Sequence, residues 1–267
     1  ISDLAAGATF EEVAYLLLHG ALPTTAQYTA FVARLKAQRD LPQGVKVTLE
    51  QIPANAHPMD VLRTGCSVLG NIEPETGHFE KAQFPHQVAC AERLLAAFPS
   101  MLLYWYHFSH NGKRINTVTD DDSVGGHFLH LLHGAPAPSE WVKCMSVSLI
   151  LYAEHEFNAS TFTGRVITGT LSDIHSAVTG AIGALRGPLH GGANEAAMAL
   201  IESFKDADDA DKGVHDMFAR KDLVMGFGHR VYKTTDPRNV IIKEWSRAYA
   251  NSDEPRLTGT PAQRQNL

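Results

Sequence analysis

The sequence predicts an all-α protein, on three observations. Apolar residues recur at helical spacing in one segment after another, each opened or closed by a recognisable cap. Strand signals are almost absent, Val45-Lys46-Val47-Thr48-Leu49 being the only fair alternation. No internal repeat or low-complexity tract breaks the pattern. At 267 residues the chain is long enough for one large core or two modest domains.

The elements follow in order. Thr9-Phe10-Glu11-Glu12 reads as a capping box, in which the Thr9 hydroxyl accepts from an early amide and Glu12 reaches back. Val13, Leu16 and Leu17 continue that helix and Gly20 stops it. Pro23-Thr24 opens a second helix carrying Tyr28, Phe31, Val32 and Leu35. Leu41 to Pro53 reads as a connection punctuated by proline and glycine. His57-Pro58 starts a helix with Met59, Leu62, Cys66 and Leu69 on one side, and Asn71 to Pro85 is polar and loop-like. A long apolar helix runs from His86 to about His107. Pro99 is expected to kink or break it, because proline lacks the amide and clashes with the preceding turn. Asn111-Gly112-Lys113-Arg114 is a turn, and Asp120 to Ser123 caps a helix ending at His133-Gly134. Pro138-Ser139-Glu140 begins the next, through Ile150 to Glu156. Between Asp173 and Leu185 the residues Ala177, Gly180, Ala181, Gly183 and Ala184 permit close backbone approach, as in a central or interfacial helix. Asn194 to Phe204, Asp208 to Phe218 and Asn239 to Tyr249 complete the set.

Composition narrows the function classes. Hydrophobic residues at 44% and charged residues at 19% describe an ordinary globular protein. A net charge of −6 gives no general attraction to nucleic acid or to an anionic membrane. No apolar run reaches the length of a membrane span, and residues 1–267 show no secretory pattern, although they start at Ile1 without methionine and leave an unseen leader open. Cys66, Cys90 and Cys144 are widely spaced in apolar helical surroundings and read as buried free thiols of a reducing compartment, the cytoplasm. Among fourteen histidines, His127, His130 and His133 recur every third residue, and His107 and His110 form another pair. Zinc needs three or four converging ligands, and successive i, i+3 positions drift around a helix, so no metal site is expected. These histidines are expected to fill polar niches or a subunit interface.

The chemistry-bearing stretch runs from Leu185 to Arg238. Gly187-Pro188-Leu189-His190-Gly191-Gly192-Ala193-Asn194-Glu195 presents one histidine among glycines. Gly226-Phe227-Gly228-His229-Arg230-Val231-Tyr232-Lys233, followed by Asp236-Pro237-Arg238, presents a second. Glycine admits backbone conformations closed to other residues and lets a ligand approach the main chain. Two such histidines suit a pair of carbonyl groups on which negative charge develops. Other motifs fail. His155-Glu156 lacks the second histidine of a metalloprotease helix, since Ala159 stands there. Gly226-Phe227-Gly228 lacks the third glycine of a dinucleotide loop, and Ala193 replaces the lysine of a phosphate loop. Singly, His190 or His229 reads as a turn histidine, and Asp236-Pro237-Arg238 as a turn with a solvated arginine. The functional alternative for Arg238 is a rigid fork for a dicarboxylate.

Three segments resemble the citrate synthase family: Gly183 to Glu195, Gly226 to His229 continuing to Asp236-Pro237-Arg238, and His155-Glu156-Phe157-Asn158-Ala159-Ser160-Thr161. The similarity runs from about Ile1 to Tyr249. It implies a large helical domain, here 1–190, and a small one, 191–267, with the active site in the cleft between them. It implies condensation of an acyl-CoA with oxaloacetate, followed by thioester hydrolysis, with acyl-CoA as co-substrate and no permanently bound cofactor. His190 matches the residue that donates to the thioester oxygen, and His229 the one that polarises the ketone. His155 and Arg238 match residues that hold the oxaloacetate carboxylates, with Asn158 as a neighbour. Lys233, with Gly226, Phe227 and Gly228, is placed toward the CoA. All four of His155, His190, His229 and Arg238 are expected to line one cleft, and a homodimer is expected with the helix Asp173 to Leu185 near its interface.

Within the family, Tyr104 to Gly112, Asp120 to His130 and His57 to Val61 resemble the bacterial-type 2-methylcitrate synthases, which use propionyl-CoA. Use of acetyl-CoA, as in citrate synthase itself, is the near alternative, and a non-catalytic helical scaffold or ligand-binding protein is the alternative of another class. The family's base is an aspartate further along the chain. After Arg238 the only aspartate is Asp253, in the run Asn251 to Pro255, which does not match that motif. The chain is therefore expected to be an incomplete view of a longer protein at both ends.

Overall fold

A computed structural model describes residues 1–75, 86–228 and 232–250. Among the described residues it contains thirteen α-helices and no strand, as the periodicity predicts. They are α1 (Ser2–Gly7), α2 (Phe10–His19), α3 (Thr25–Ala37), α4 (Gln43–Glu50), α5 (Pro58–Ile72), α6 (Gln87–Asn111) and α7 (Val124–His133). There follow α8 (Ser139–Ala153), α9 (Ala159–Thr168), α10 (Ile174–Leu185), α11 (Gly192–Glu202), α12 (Ala207–Arg220) and α13 (Pro237–Ala250). The chain divides into two compact units, 3–186 and the part from residue 187 onward.

Caps set most of the boundaries. Thr9 and Thr24 form complete capping boxes with Glu12 and Gln27, each satisfying two orphan donors. The His57 ring accepts from the Met59 amide at 3.1 Å to start α5, and Ser123 accepts from Gly126 at 2.9 Å to start α7. Gly20, Gly112 and Gly134 end their helices in the left-handed conformation.

Three expectations are corrected. The alternating run Val45 to Leu49 is helical, inside α4. Val45 and Leu49, four apart, are fully buried on one face, whereas Val47 is 46% exposed; the same letters satisfy both periods, and the core selects the helix. Pro99 does not break α6, which runs unbroken past it. Leu94, Ala97, Met101, Tyr104 and Trp105 pack that helix into the core on both sides of the proline, offsetting a defect of about 3 kcal/mol. Of the three thiols only Cys66 is buried; Cys90 and Cys144 are half-buried, and none forms a disulfide. The sequence reading also ran α8 on to Glu156, whereas it ends at Ala153, and it missed α1 and α9. No residue of α9 is buried, and its Ser/Thr-rich sequence gives little apolar periodicity.

The core of the first unit joins α4, α5, α6 and α10 through Val45, Leu49, Val61, Leu69, Leu94, Met101 and Ile182. Helix α10 packs on α5 and α9. A Cβ on Gly70 of α5 would lie 2.6 Å from His175 Cβ, and one on Gly180 would lie 2.2 Å from Ile167 Cδ1. The small residues are therefore what lets these helices approach.

A buried polar cluster joins the other edge. Arg39 donates to the Thr119 carbonyl at 2.8 Å and the Ser123 carbonyl at 3.3 Å. The Glu11 carboxylate accepts from the Val124 amide at 2.8 Å. Burial raises the Glu11 pKa and lowers that of Arg39. The His127 ring lies 3.2 Å from Ser100 Oγ and 3.0 Å from Thr119 Oγ1. Burial first, and the Arg39 charge second, push His127 down to about 3. The other histidines go to separate partners: His130 to Asp121 at 2.7 Å, His107 to the Leu131 carbonyl at 2.8 Å, and His133 against the Trp141 ring. Among the described residues, no group of three or more His, Cys, Asp or Glu is arranged to hold a metal, and no helix is long and apolar enough to cross a membrane.

Two outcomes are expected. His127 is held neutral in the fold, so its contribution is complete above the unfolded value near 6.5 and is lost as pH falls toward 3. Between pH 7 and 5 this amounts to about 2 kcal/mol. Urea melts should show His127→Gln losing less stability than the wild type over that range; equal losses would refute the assignment. Gly70→Ala should lower stability by about 1–2 kcal/mol, overpacking against His175 outweighing alanine's better helix propensity. An unchanged denaturation midpoint would count against close α5–α10 packing.

Candidate active site

His190 sits in a tight turn that feeds directly into α11. Its amide donates to the Gly187 carbonyl at 3.0 Å, and the Gly192 amide donates to the same oxygen at 3.1 Å. The His190 carbonyl then accepts from Ala193 at 3.1 Å, so the histidine is rigidly joined to the first turn of the helix. His190 is half-buried, while Leu189 beside it is 97% exposed. Gly191 has φ −62°, so this loop does not use the left-handed freedom of glycine there.

The second loop does use it. Gly226 has φ 92° and Gly228 has φ 83°, conformations that an L side chain would strain. A Cβ on Gly226 would lie 3.1 Å from Ala197 Cβ on α11. The turn before His229 therefore rests on the helix that His190 opens. Val224, whose carbonyl accepts from the Phe227 amide at 3.4 Å, is buried, and Phe227 is 79% exposed. His229 lies outside the described residues. Lys233 is exposed on the segment that leads to α13.

Arg238 lies in the first turn of α13, behind Pro237. Its guanidinium meets the Asp236 carboxylate, with Nε 3.0 and 3.1 Å from the two oxygens and Nη2 2.7 Å from Oδ2. The Tyr232 ring centroid lies 5.9 Å from Arg238 Cζ.

His155 and Asn158 belong to the first unit, in the connection between α8 and α9. His155 is half-buried. Its neighbour Glu156 has φ 54°, an unusual state for a residue with a side chain. The exposed Phe157 ring carries the Arg165 guanidinium 4.9 Å above it. Asn158 is the N-cap of α9: its Oδ1 accepts from Thr161 N at 3.0 Å and from Ser160 Oγ at 2.7 Å. The pattern Asn158-Ala159-Ser160-Thr161 carried that cap signal, and the sequence reading passed over it. It also missed Asp236 as the partner of Arg238.

A family model described as citrate synthase, C-terminal domain, matches residues 1–260. The chain belongs to the citrate synthase family. Among its relatives is the 2-methylcitrate synthase of Shewanella oneidensis, 62% identical over 94% of this chain and 65% of that protein. A citrate synthase of Mycolicibacterium smegmatis is 41% identical over 91% of this chain and 64% of its own length. Among solved structures, the citrate synthase of Thermoplasma acidophilum, a ternary complex with carboxymethyl coenzyme A and oxaloacetate, superposes with a TM-score of 0.85 at 31% identity. That match covers 94% of this chain and 65% of the other. The chain thus spans about two thirds of the length of the citrate synthases it matches. The large-and-small helical fold expected from the motifs is that of this family.

Because Asn158 holds the first turn of α9, Asn158→Ala should lower stability by about 1 kcal/mol, read as a shift in urea midpoint. No shift would mean that the cap is dispensable.

Proposed function

We propose that the chain carries the condensing chemistry of a 2-methylcitrate synthase: propionyl-CoA joins oxaloacetate, and water then releases 2-methylcitrate and CoA. The observation that carries this reading is the 62% identity with the Shewanella oneidensis protein of that name. The His190 turn and the left-handed glycine loop, both against α11, support it.

The chemistry assigns the roles. The carbon beside a thioester is weakly acidic: a base takes its proton, a role that falls in the family to an aspartate and to none of the residues assigned here, and His190 donates to the thioester oxygen as the enol forms. The enol carbon attacks the ketone of oxaloacetate, and the charge that grows on the ketone oxygen needs a second donor, His229. Arg238 and His155 bind the oxaloacetate carboxylates, with Asn158 beside them through the cap it forms. Lys233 meets a CoA phosphate, and Gly226, Phe227 and Gly228 form the wall along which the CoA lies. The two units act as large and small domains, the change falling near His190. Two copies associate through the face that bears α10, and the enzyme works in the reducing cytoplasm that its thiols suit.

One methylene in an apolar pocket separates substrates by about 1–3 kcal/mol, so acetyl-CoA is the competing substrate. In the whole protein, oxaloacetate-dependent thiol release should show kcat/KM for propionyl-CoA about tenfold or more above that for acetyl-CoA. The reverse order would make the chain a citrate synthase. Release from neither would leave a scaffold or ligand-binding protein. His229→Ala should lower kcat about 100-fold or more, as loss of an oxyanion donor does; an unchanged kcat would remove its role.

A further inference from the structure

The Asp236-Pro237-Arg238 tripeptide is folded into a closed device. Asp236 Oδ1 accepts from the Arg238 main-chain amide at 2.9 Å and from Arg238 Nε at 3.0 Å, while Oδ2 accepts from Nη2 at 2.7 Å. The Asp236 carbonyl accepts from Asn239 N at 3.1 Å, tying the aspartate to the helix it precedes. Pro237 fixes φ between the two charged residues, so the loop has little freedom to open. Both side chains are little exposed, at 22% and 23%. An arginine in the first turn of a helix faces the positive end of the helix dipole, a placement that stability alone disfavours. The carboxylate two residues earlier offsets that cost and fixes the plane of the guanidinium.

We propose that Asp236 is the positioning residue for Arg238. By taking the Nε–Nη2 edge, it aims the guanidinium so that a substrate carboxylate meets a fork already in place. This rests on the reading of Arg238 as an oxaloacetate ligand. A planar fork helps binding only when it is oriented before the ligand arrives, because ordering a long side chain on binding costs affinity.

The test compares Asp236→Asn, Asp236→Ala and Arg238→Ala in the whole protein to which this chain belongs. Steady-state kinetics, calorimetric binding of oxaloacetate and thermal melting are read for each. Asparagine keeps the shape and the bond to the Arg238 amide but loses the charge, so Asp236→Asn should fold where alanine fails. It should raise KM and Kd for oxaloacetate about tenfold, the loss of one charge-assisted pair. KM for propionyl-CoA should stay within about twofold. A purely structural role would lower the melting temperature and leave the oxaloacetate affinity of the folded protein unchanged. If both Asp236 variants bind oxaloacetate like the wild type while Arg238→Ala does not, the inference is overturned and the reading of Arg238 stands. If Arg238→Ala also binds normally, or the wild type does not bind oxaloacetate, both fall.

Discussion

Arg39 is buried to 2% exposure with a charge it cannot readily shed, and the first unit is assembled around that constraint. An unpaired guanidinium there would cost several kcal/mol, so carbonyls must be brought to it. The Thr119 and Ser123 carbonyls come from the segment that leads into α7, and Glu11 of α2 binds the first amide of the same helix. His127 fills the space between Ser100 of α6 and Thr119. Together these contacts tie α2, the segment after α3, α6 and α7 into a single arrangement.

The opposite side of the unit is organised by absence of bulk. Glycines at positions 70 and 180 bring α10 against α5 and α9. The peripheral hydrogen bonds then follow the packing. Tyr104 of α6 donates to Glu50 of α4 at 2.7 Å, and Arg114 grips the same carboxylate through two bonds. Arg114 first, and Tyr104 second, hold that carboxyl down to about 2.

The second unit shows the same economy at its candidate ligand-binding residues. A turn closed on the Gly187 carbonyl delivers His190, glycines at φ 92° and 83° shape the approach to His229, and a local carboxylate holds Arg238. His190 and Arg238 are each held by neighbours within a few positions, while the turn at Gly226 also rests on Ala197 of α11. A site whose groups are fixed in advance loses less on binding than one that must order them.

That locality explains what the sequence by itself determined. Caps at Thr9, Thr24 and Ser123 and stops at Gly20 and Gly134 act over three or four residues, so adjacent letters reveal them. The glycine-flanked histidine at 190 and the Asp-Pro-Arg turn were legible for the same reason, as was the family resemblance that the family match bears out. Only tertiary structure decided that Val45 to Leu49 coils and that α6 survives Pro99. It also decided that His127 is a neutral core residue 3.2 Å from Ser100. These outcomes depend on partners tens of positions away, which burial brings together and no local pattern names.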